Sequence, residues 1–233
     1  MQTDIPAAAI PAPAAISTAD LVVMNERAGD APFRIDLVYA QADHPENIFG
    51  CALYRADAPF ILHKDLASIV MRAAQAVFDA HGWRFVLMDG LRPIEAQQAM
   101  QATAIVKRNP HWCEEPNRLL SPPGKGGHPR AMAVDIVLET PDGTRIDMGT
   151  PFDYLSEDRT HNPAARNYTE FAADILNNRR ILEDAMTQAA AVLGHALLPL
   201  PSEWWDFRAP AEVYNRFAPL SDADLPPHLR MTR

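Results

Sequence analysis

Residues 66–93 read LASIVMRAAQAVFDAHGWRFVLMDGLRP, and the change of pattern within this stretch decides the fold class. Leu66, Ile69, Val70, Ala73, Val77 and Ala80 fall at helical spacing on one face. His81-Gly82 supplies the stop, because glycine adopts the left-handed conformation that closes a helix. The next run, 83–88, is short, aromatic and β-branched, so it predicts a strand entering a turn at Asp89-Gly90. Pro93 suits a first helical turn, and a second helix is predicted over 94–107. Arg92 thus stands at a strand-to-helix junction, where side chains often face a cleft.

Downstream, residues 119–130 hold three glycines and three prolines in a polar setting and read as a loop feeding a strand over 133–138. Asp142-Gly143 marks a hairpin returning through Arg145 to Met148. A polar loop over 152–167 precedes a helix from about Glu170 to Leu193, closed by Gly194, and a strand through Leu197 and Leu198 toward Glu203. Upstream, the opening segment is rich in Ala and Pro but has no basic region, carries Asp4 and is broken by Pro6, Pro11 and Pro13. It reads as neither signal peptide nor membrane span, and is expected to be a flexible arm over 1–20 before one domain over 21–233. Helices and hairpin-linked strands in this order give a single α+β domain, a central and mainly antiparallel sheet with flanking helices.

The 233 residues are 48% apolar and 22% charged, as in ordinary globular proteins. A net charge of -9 without any long run of Lys or Arg argues against a nucleic-acid partner. No segment suggests a membrane, and the expected address is the cytoplasm, with the periplasm left open. Cys51 and Cys113 are too few for a disulfide framework and lack a C-x-x-C pattern.

Two stretches carry candidate chemistry. In Gly127-His128-Pro129-Arg130-Ala131-Met132-Ala133-Val134-Asp135, a loop histidine leads into a strand whose Asp135 sits among apolar neighbours. A carboxylate in such company needs a partner. A metal ion shared with His128 would serve, and so would a backbone amide or an arginine; spacing does not choose between them. In Ser202-Glu203-Trp204-Trp205-Asp206-Phe207, two carboxylates flank two large aromatics. A glutamate buried among rings gains a raised pKa, which suits a general base near neutrality, while the tryptophans themselves read as core.

With these motifs in order the chain resembles the D-alanyl-D-alanine dipeptidases, zinc enzymes of the vancomycin-resistance type, from about Tyr39 to Asp206. The likeness is carried by Tyr39-Ala40 with Asn47-Ile48-Phe49-Gly50, by Asp89-Gly90-Leu91-Arg92-Pro93, and by His128 with Asp135. It continues through Met148-Gly149-Thr150-Pro151-Phe152-Asp153, Asn178-Arg179-Arg180 and Glu203-Trp204-Trp205. The resemblance implies one zinc ion on His128 and Asp135, Glu203 as catalytic base, and Arg92 steadying the oxyanion. It also implies Asp153 as receiver of the substrate's ammonium, and Tyr39 lining a pocket for a small dipeptide. Asn178-Arg179-Arg180 lies on a helix and is read as a structural ion pair.

The chain departs from the family at three places. Asp206 stands where the family has a histidine ligand; aspartate also binds zinc, so His128, Asp135 and Asp206 form the expected set. The added negative charge would make the metal less electrophilic and suit a harder divalent ion such as manganese or iron. His195 or His161 could complete the site instead. Gly126 replaces a serine near the substrate carboxylate, and Ala131 replaces a glycine between the ligands. The expected function is a zinc-dependent dipeptidase for D-Ala-D-Ala or a related dipeptide. The alternatives are a peptidoglycan carboxypeptidase or endopeptidase, and a relative silenced by Asp206.

Overall fold

A computed structural model of the chain describes residues 12–116 and 118–232. In chain order its regular elements begin with β1 (Leu21–Val23), β2 (Phe33–Ile35), β3 (Ile61–His63), α1 (Lys64–His81) and β4 (Arg84–Asp89). There follow α2 (Ile94–Gln101), α3 (Ala104–Arg108), β5 (Ala133–Glu139), α4 (Ala173–Leu193), β6 (Leu198–Pro199), β7 (Asp206–Arg208) and α5 (Ala211–Tyr214). The strands form a five-stranded sheet in the order β2-β4-β5-β7-β6, plus a two-stranded ribbon of β1 and β3. Only β2 and β4 are parallel; the other pairs are antiparallel. The fold is the single α+β domain with a mainly antiparallel sheet that the sequence leads one to expect.

Every residue of β5 is buried, and in β4 only Arg84 is partly exposed, so both strands are covered on both faces. That is why 85–88 reads as a continuous apolar run rather than an alternation. α1 lays its apolar stripe on β3 and β4 and packs along α4. Both long helices end on a glycine in the left-handed region, Gly82 at φ 71° and Gly194 at φ 73°.

Several boundaries differ from expectation for identifiable reasons. The helix expected over 94–107 breaks after Ala102, because the Thr103 hydroxyl donates to the Met100 carbonyl at 2.8 Å and its backbone is extended. The hairpin expected after Asp142-Gly143 shrinks to one bridge between Glu139 and Arg145, with Asp142 holding the turn through the Thr144 amide. The strand expected from 197 toward Glu203 is only β6, and a separate strand, β7, begins at Asp206. Asp89 is no turn residue: it ends β4 fully buried. Gly90 is needed for close approach, since a Cβ there would lie 2.7 Å from the Ile61 carbonyl oxygen.

Of the arm expected over 1–20, residues 1–11 lie outside the described residues. From Ala14 onward the segment is held: its amide donates to the Arg216 carbonyl and its carbonyl accepts from Ala218, each at 2.8 Å, and Ile16 is buried. The 216–220 stretch in turn holds the 126–131 loop, where Arg130 Nε donates to the Phe217 carbonyl at 2.7 Å and the Leu220 amide to that of Pro129 at 2.6 Å. Among the described residues no helix is long and apolar enough to cross a membrane.

Candidate functional site

Sheet register sets the site. Asp135 on β5 pairs with Asp89 on β4 and with Asp206 on β7, so three aspartates form a row across neighbouring strands, all buried. Like charges directly opposite one another are unfavourable, and the row persists only with cations supplied to it. Three side chains supply them: Arg92, His128 and Arg208.

His128 enters from a short turn, His128–Arg130, that ends on Ala131 in the left-handed conformation, φ 55°. That conformation is the one a glycine takes freely, so Ala131 holds it at some cost. His128 Nδ1 lies 2.8 Å from the Gly90 carbonyl oxygen, so Nδ1 carries the proton and Nε2 is turned to the carboxylates. Nε2 stands 3.2 Å from Asp206 Oδ2 and 3.6 Å from Asp135 Oδ1. Burial opposes a charge on His128, but Asp135 and Asp206 outweigh it and Arg92, pushing the imidazole up to about 10. Asp135 Oδ1 is buried without a hydrogen-bond partner.

Arg92 is pinned by Asp89, whose Oδ2 accepts from Nε at 2.8 Å and lies 2.7 Å from Nη2. Asp89 Oδ1 accepts from the Tyr54 hydroxyl at 2.7 Å. The guanidinium also reaches within 3.5 Å of Asp135 Oδ2 and lies 5.4 Å from the centre of the Tyr39 ring. Tyr39 donates to Asp153 Oδ2 at 2.8 Å from behind, and is not among the residues lining the cavity. Asp153 adopts φ 57°, a strained conformation for a non-glycine residue, and its burial pushes the carboxyl up to about 7 against the hydrogen bond from Tyr39.

Glu203 and its aromatic neighbours are set by the loops around them. Trp204 Nε1 donates to Thr150 Oγ1 at 2.8 Å, tying the 148–153 loop to Glu203. Burial, reinforced by the Asp206 charge, holds the Glu203 carboxyl well above the ordinary range. Asp206 behaves oppositely. Burial alone would raise it, but Arg208 with help from His128 draws it below the carboxylate range. Arg208 Nε donates to Asp206 Oδ1 at 2.8 Å and Nη2 to Oδ2, a two-pronged ion pair.

Arg92, His128, Asp135, Asp153, Glu203 and Asp206 line one inner cavity of about 30 Å³, room for an ion or a water. An outer chamber of about 430 Å³ adjoins it past Leu119, Ser121, Lys125, Gly126 and Arg208. The donor set fits a divalent cation: an imidazole Nε2 fixed by its other nitrogen, beside a buried carboxylate oxygen without a hydrogen-bond partner among the described residues. The buried group whose donor atoms all lie within 4.8 Å of one another is Asp89, His128 and Asp135, without Asp206. The closest approach of Asp89 is 3.7 Å to Nδ1, however, the nitrogen already used by Gly90. The carboxylates facing Nε2 are Asp135 and Asp206. His195 stands instead beside Asp65 at 3.9 Å, and His161 lines a separate surface cavity.

Sequence reasoning missed Asp89, Tyr54, Gly90 and Arg208. The spacing of Asp89 and Arg92, three apart, was a usable signal for the first. Among the described residues Arg179 forms no ion pair of the expected kind; it is buried and donates to the carbonyls of Met148, Pro163 and Ala165, clamping the loops behind Trp204.

The profile of a family described as D-ala-D-ala dipeptidase matches residues 18–221. The D-alanyl-D-alanine dipeptidase of Escherichia coli (strain K12) is 30% identical over 182 residues, covering 76% of this chain and 78% of that protein. A D-alanyl-D-alanine dipeptidase of Synechocystis sp. is 26% identical over 208 residues, covering 76% and 80%. Among solved structures, the Serratia marcescens L-Ala D-Glu endopeptidase ChiX aligns at 14% identity and a TM-score of 0.36, covering 66% of this chain and 84% of that one.

Proposed function

This chain belongs to the D-ala-D-ala dipeptidase family, and from that premise we propose that it hydrolyses a small free dipeptide, D-Ala-D-Ala or a close relative, in the cytoplasm. The observation that carries the reading is the convergence of Arg92, His128, Asp135, Asp153, Glu203 and Asp206 on one cavity from stretches far apart in the chain. His128 and Asp135, with Asp206, would hold the ion, zinc by family resemblance. When bound, such an ion supplies a water of lowered pKa and polarises the scissile carbonyl.

The chain's own residues do the rest. Glu203, with its raised pKa, accepts the proton of the attacking water and passes it to the leaving amine. Arg92, already fixed by Asp89, presents its guanidinium to the oxyanion without reorganising during the reaction. Asp153 receives the substrate's ammonium, and Tyr39 holds that carboxylate in place. Asp153 lines the inner cavity and not the outer chamber, so the ammonium end of the substrate is directed inward and its carboxylate end toward the outer chamber.

Hydrolysis should be assayed with zinc or manganese on D-Ala-D-Ala, L-Ala-L-Ala and N-acetyl-D-Ala-D-Ala. Turnover of a free dipeptide with little on the acetylated one is expected. Comparable kcat/KM on the acetylated peptide would replace this reading with a carboxypeptidase, because an acid placed for a free amine penalises an acylated one.

A further inference from the structure

We propose that Arg208 competes with the metal for Asp206, as the resident counter-ion of that carboxylate, and thereby sets the affinity with which this chain holds a divalent ion. The inference rests on the metal site of the proposed dipeptidase. Asp206 and Arg208 lie two apart on β7, so their side chains leave the same face of the strand. Their side chains are 1% and 12% exposed. Both Asp206 oxygens accept from Arg208, and Oδ2 is also the atom nearest His128 Nε2.

A buried carboxylate requires a cation, and here the strand provides its own. An ion drawn to His128 and Asp135 meets a third ligand already neutralised, and a guanidinium that repels it. Asp135 makes the contrast, since its Oδ1 has no hydrogen-bond partner. Arg208 has somewhere to go: the site of a Cβ on Gly126 is 3.6 Å from Nη1, and Arg208 also lines the outer chamber. With no side chain at Gly126, the guanidinium can turn toward that chamber as Asp206 turns to an ion. The ion pair thus keeps the metal-free fold satisfied and makes each loading event an exchange of one cation for another.

The test is a zinc titration of the full chain, wild type and Arg208→Met, by competition with a chromophoric chelator, with thermal melts in EDTA and in zinc. Arg208→Met should bind zinc at least tenfold more tightly, melt lower than wild type in EDTA, and gain more from added zinc. Zinc affinity that is unchanged or weaker in Arg208→Met would overturn the proposal, by making Arg208 a support of the site. If Arg208→Met does not fold even with zinc, Arg208→Lys decides by the same titration, with tighter binding expected and equal or weaker binding overturning it. Absence of dipeptide hydrolysis by zinc-saturated wild type would count against the dipeptidase reading alone, because the titration does not depend on turnover.

Discussion

Strand β5 carries two buried carboxylates four residues apart, Asp135 and Glu139, and the fold treats them differently. Glu139, fully buried, receives Arg34 on both oxygens at 2.8–3.0 Å and Arg84 Nη2 at 3.0 Å, with Arg145 Nη1 at 3.7 Å. Asp36 and Glu46 then balance the surplus positive charge. Asp135 has His128 at 3.6 Å and Arg92 at 3.5 Å, and its Oδ1 has no hydrogen-bond partner among the described residues. A carboxylate that the chain fully satisfies holds the fold together. Asp135 Oδ1 is the one oxygen among the four buried side-chain atoms that lack a hydrogen-bond partner in the described residues, the others being nitrogens of Arg55, Arg84 and Arg145. Such an oxygen can accept something that arrives from outside.

The hardest attempt to break this contrast is a crossed pair of substitutions. Glu139→Gln should cost about 1–3 kcal/mol of stability, because it removes the buried anion shared by three partly exposed arginines, and should leave zinc affinity alone. Asp135→Asn should change the stability of the metal-free protein by less than about 1 kcal/mol and weaken zinc binding by roughly two orders of magnitude or more. Denaturant melts and chelator competition read the two effects separately. If both variants lose stability alike, the two carboxylates are of one kind.

Arg92 stands between the classes, since Asp89 binds it as firmly as any structural pair. Arg92→Ala should lower kcat by about 10²–10³ with a smaller change in KM. A rise confined to KM would make it a ground-state binder.

Asp153 sharpens the comparison as a buried acid with a single side-chain donor, Tyr39. Its carboxyl sits at about 7 against an ordinary 3.8, so the folded chain keeps the proton that the unfolded chain gives up between those values. Stability therefore falls as pH rises from about 4 to about 7, and above that range the buried charge costs its full amount. Asp153→Asn should stabilise the chelated protein at pH 8 by roughly 1–3 kcal/mol and do almost nothing at pH 4. Equal gains at both pH values, in melts, would mean that the buried charge is not what costs.

The last expectation concerns the pH dependence of metal binding at His128. With the imidazole at about 10, the metal-free site is protonated at neutral pH and an incoming ion must displace that proton. Zinc affinity should climb about tenfold per pH unit between pH 6 and 9, with close to one proton released per ion. Calorimetry in buffers of different ionisation enthalpy checks this, and a flat profile would show that His128 is already neutral.

Much of the frame was legible because α1, α4, β4 and β5 are long or strongly patterned. β1, β2 and β3 were not, since three-residue strands show no period. His128, Asp135, Glu203 and Asp206 were legible as local motifs and through the family resemblance. Asp89 was not, because an Asp-Gly pair looks the same in sequence whether it turns at the surface or ends a buried strand against the Ile61 carbonyl. Arg208 escaped for a related reason: what it touches is set by the pairing of β7 with β5 and by Gly126, none of which is local.

The clasp between Ala14 and the 216–218 stretch has a practical consequence for anyone shortening or tagging this protein. The segment it grips carries the Phe217 carbonyl that holds Arg130, two residues after His128. A cut placed just after Ala14 removes that grip, and the disturbance passes along 216–220 to the turn that aims the imidazole. A handle on the amino-terminal side of residue 12 spares the clasp. A trim past Ala14, chosen because the leading Ala/Pro segment looks dispensable, should therefore weaken metal uptake before it costs the fold, and a zinc titration of the shortened protein beside the full chain checks this.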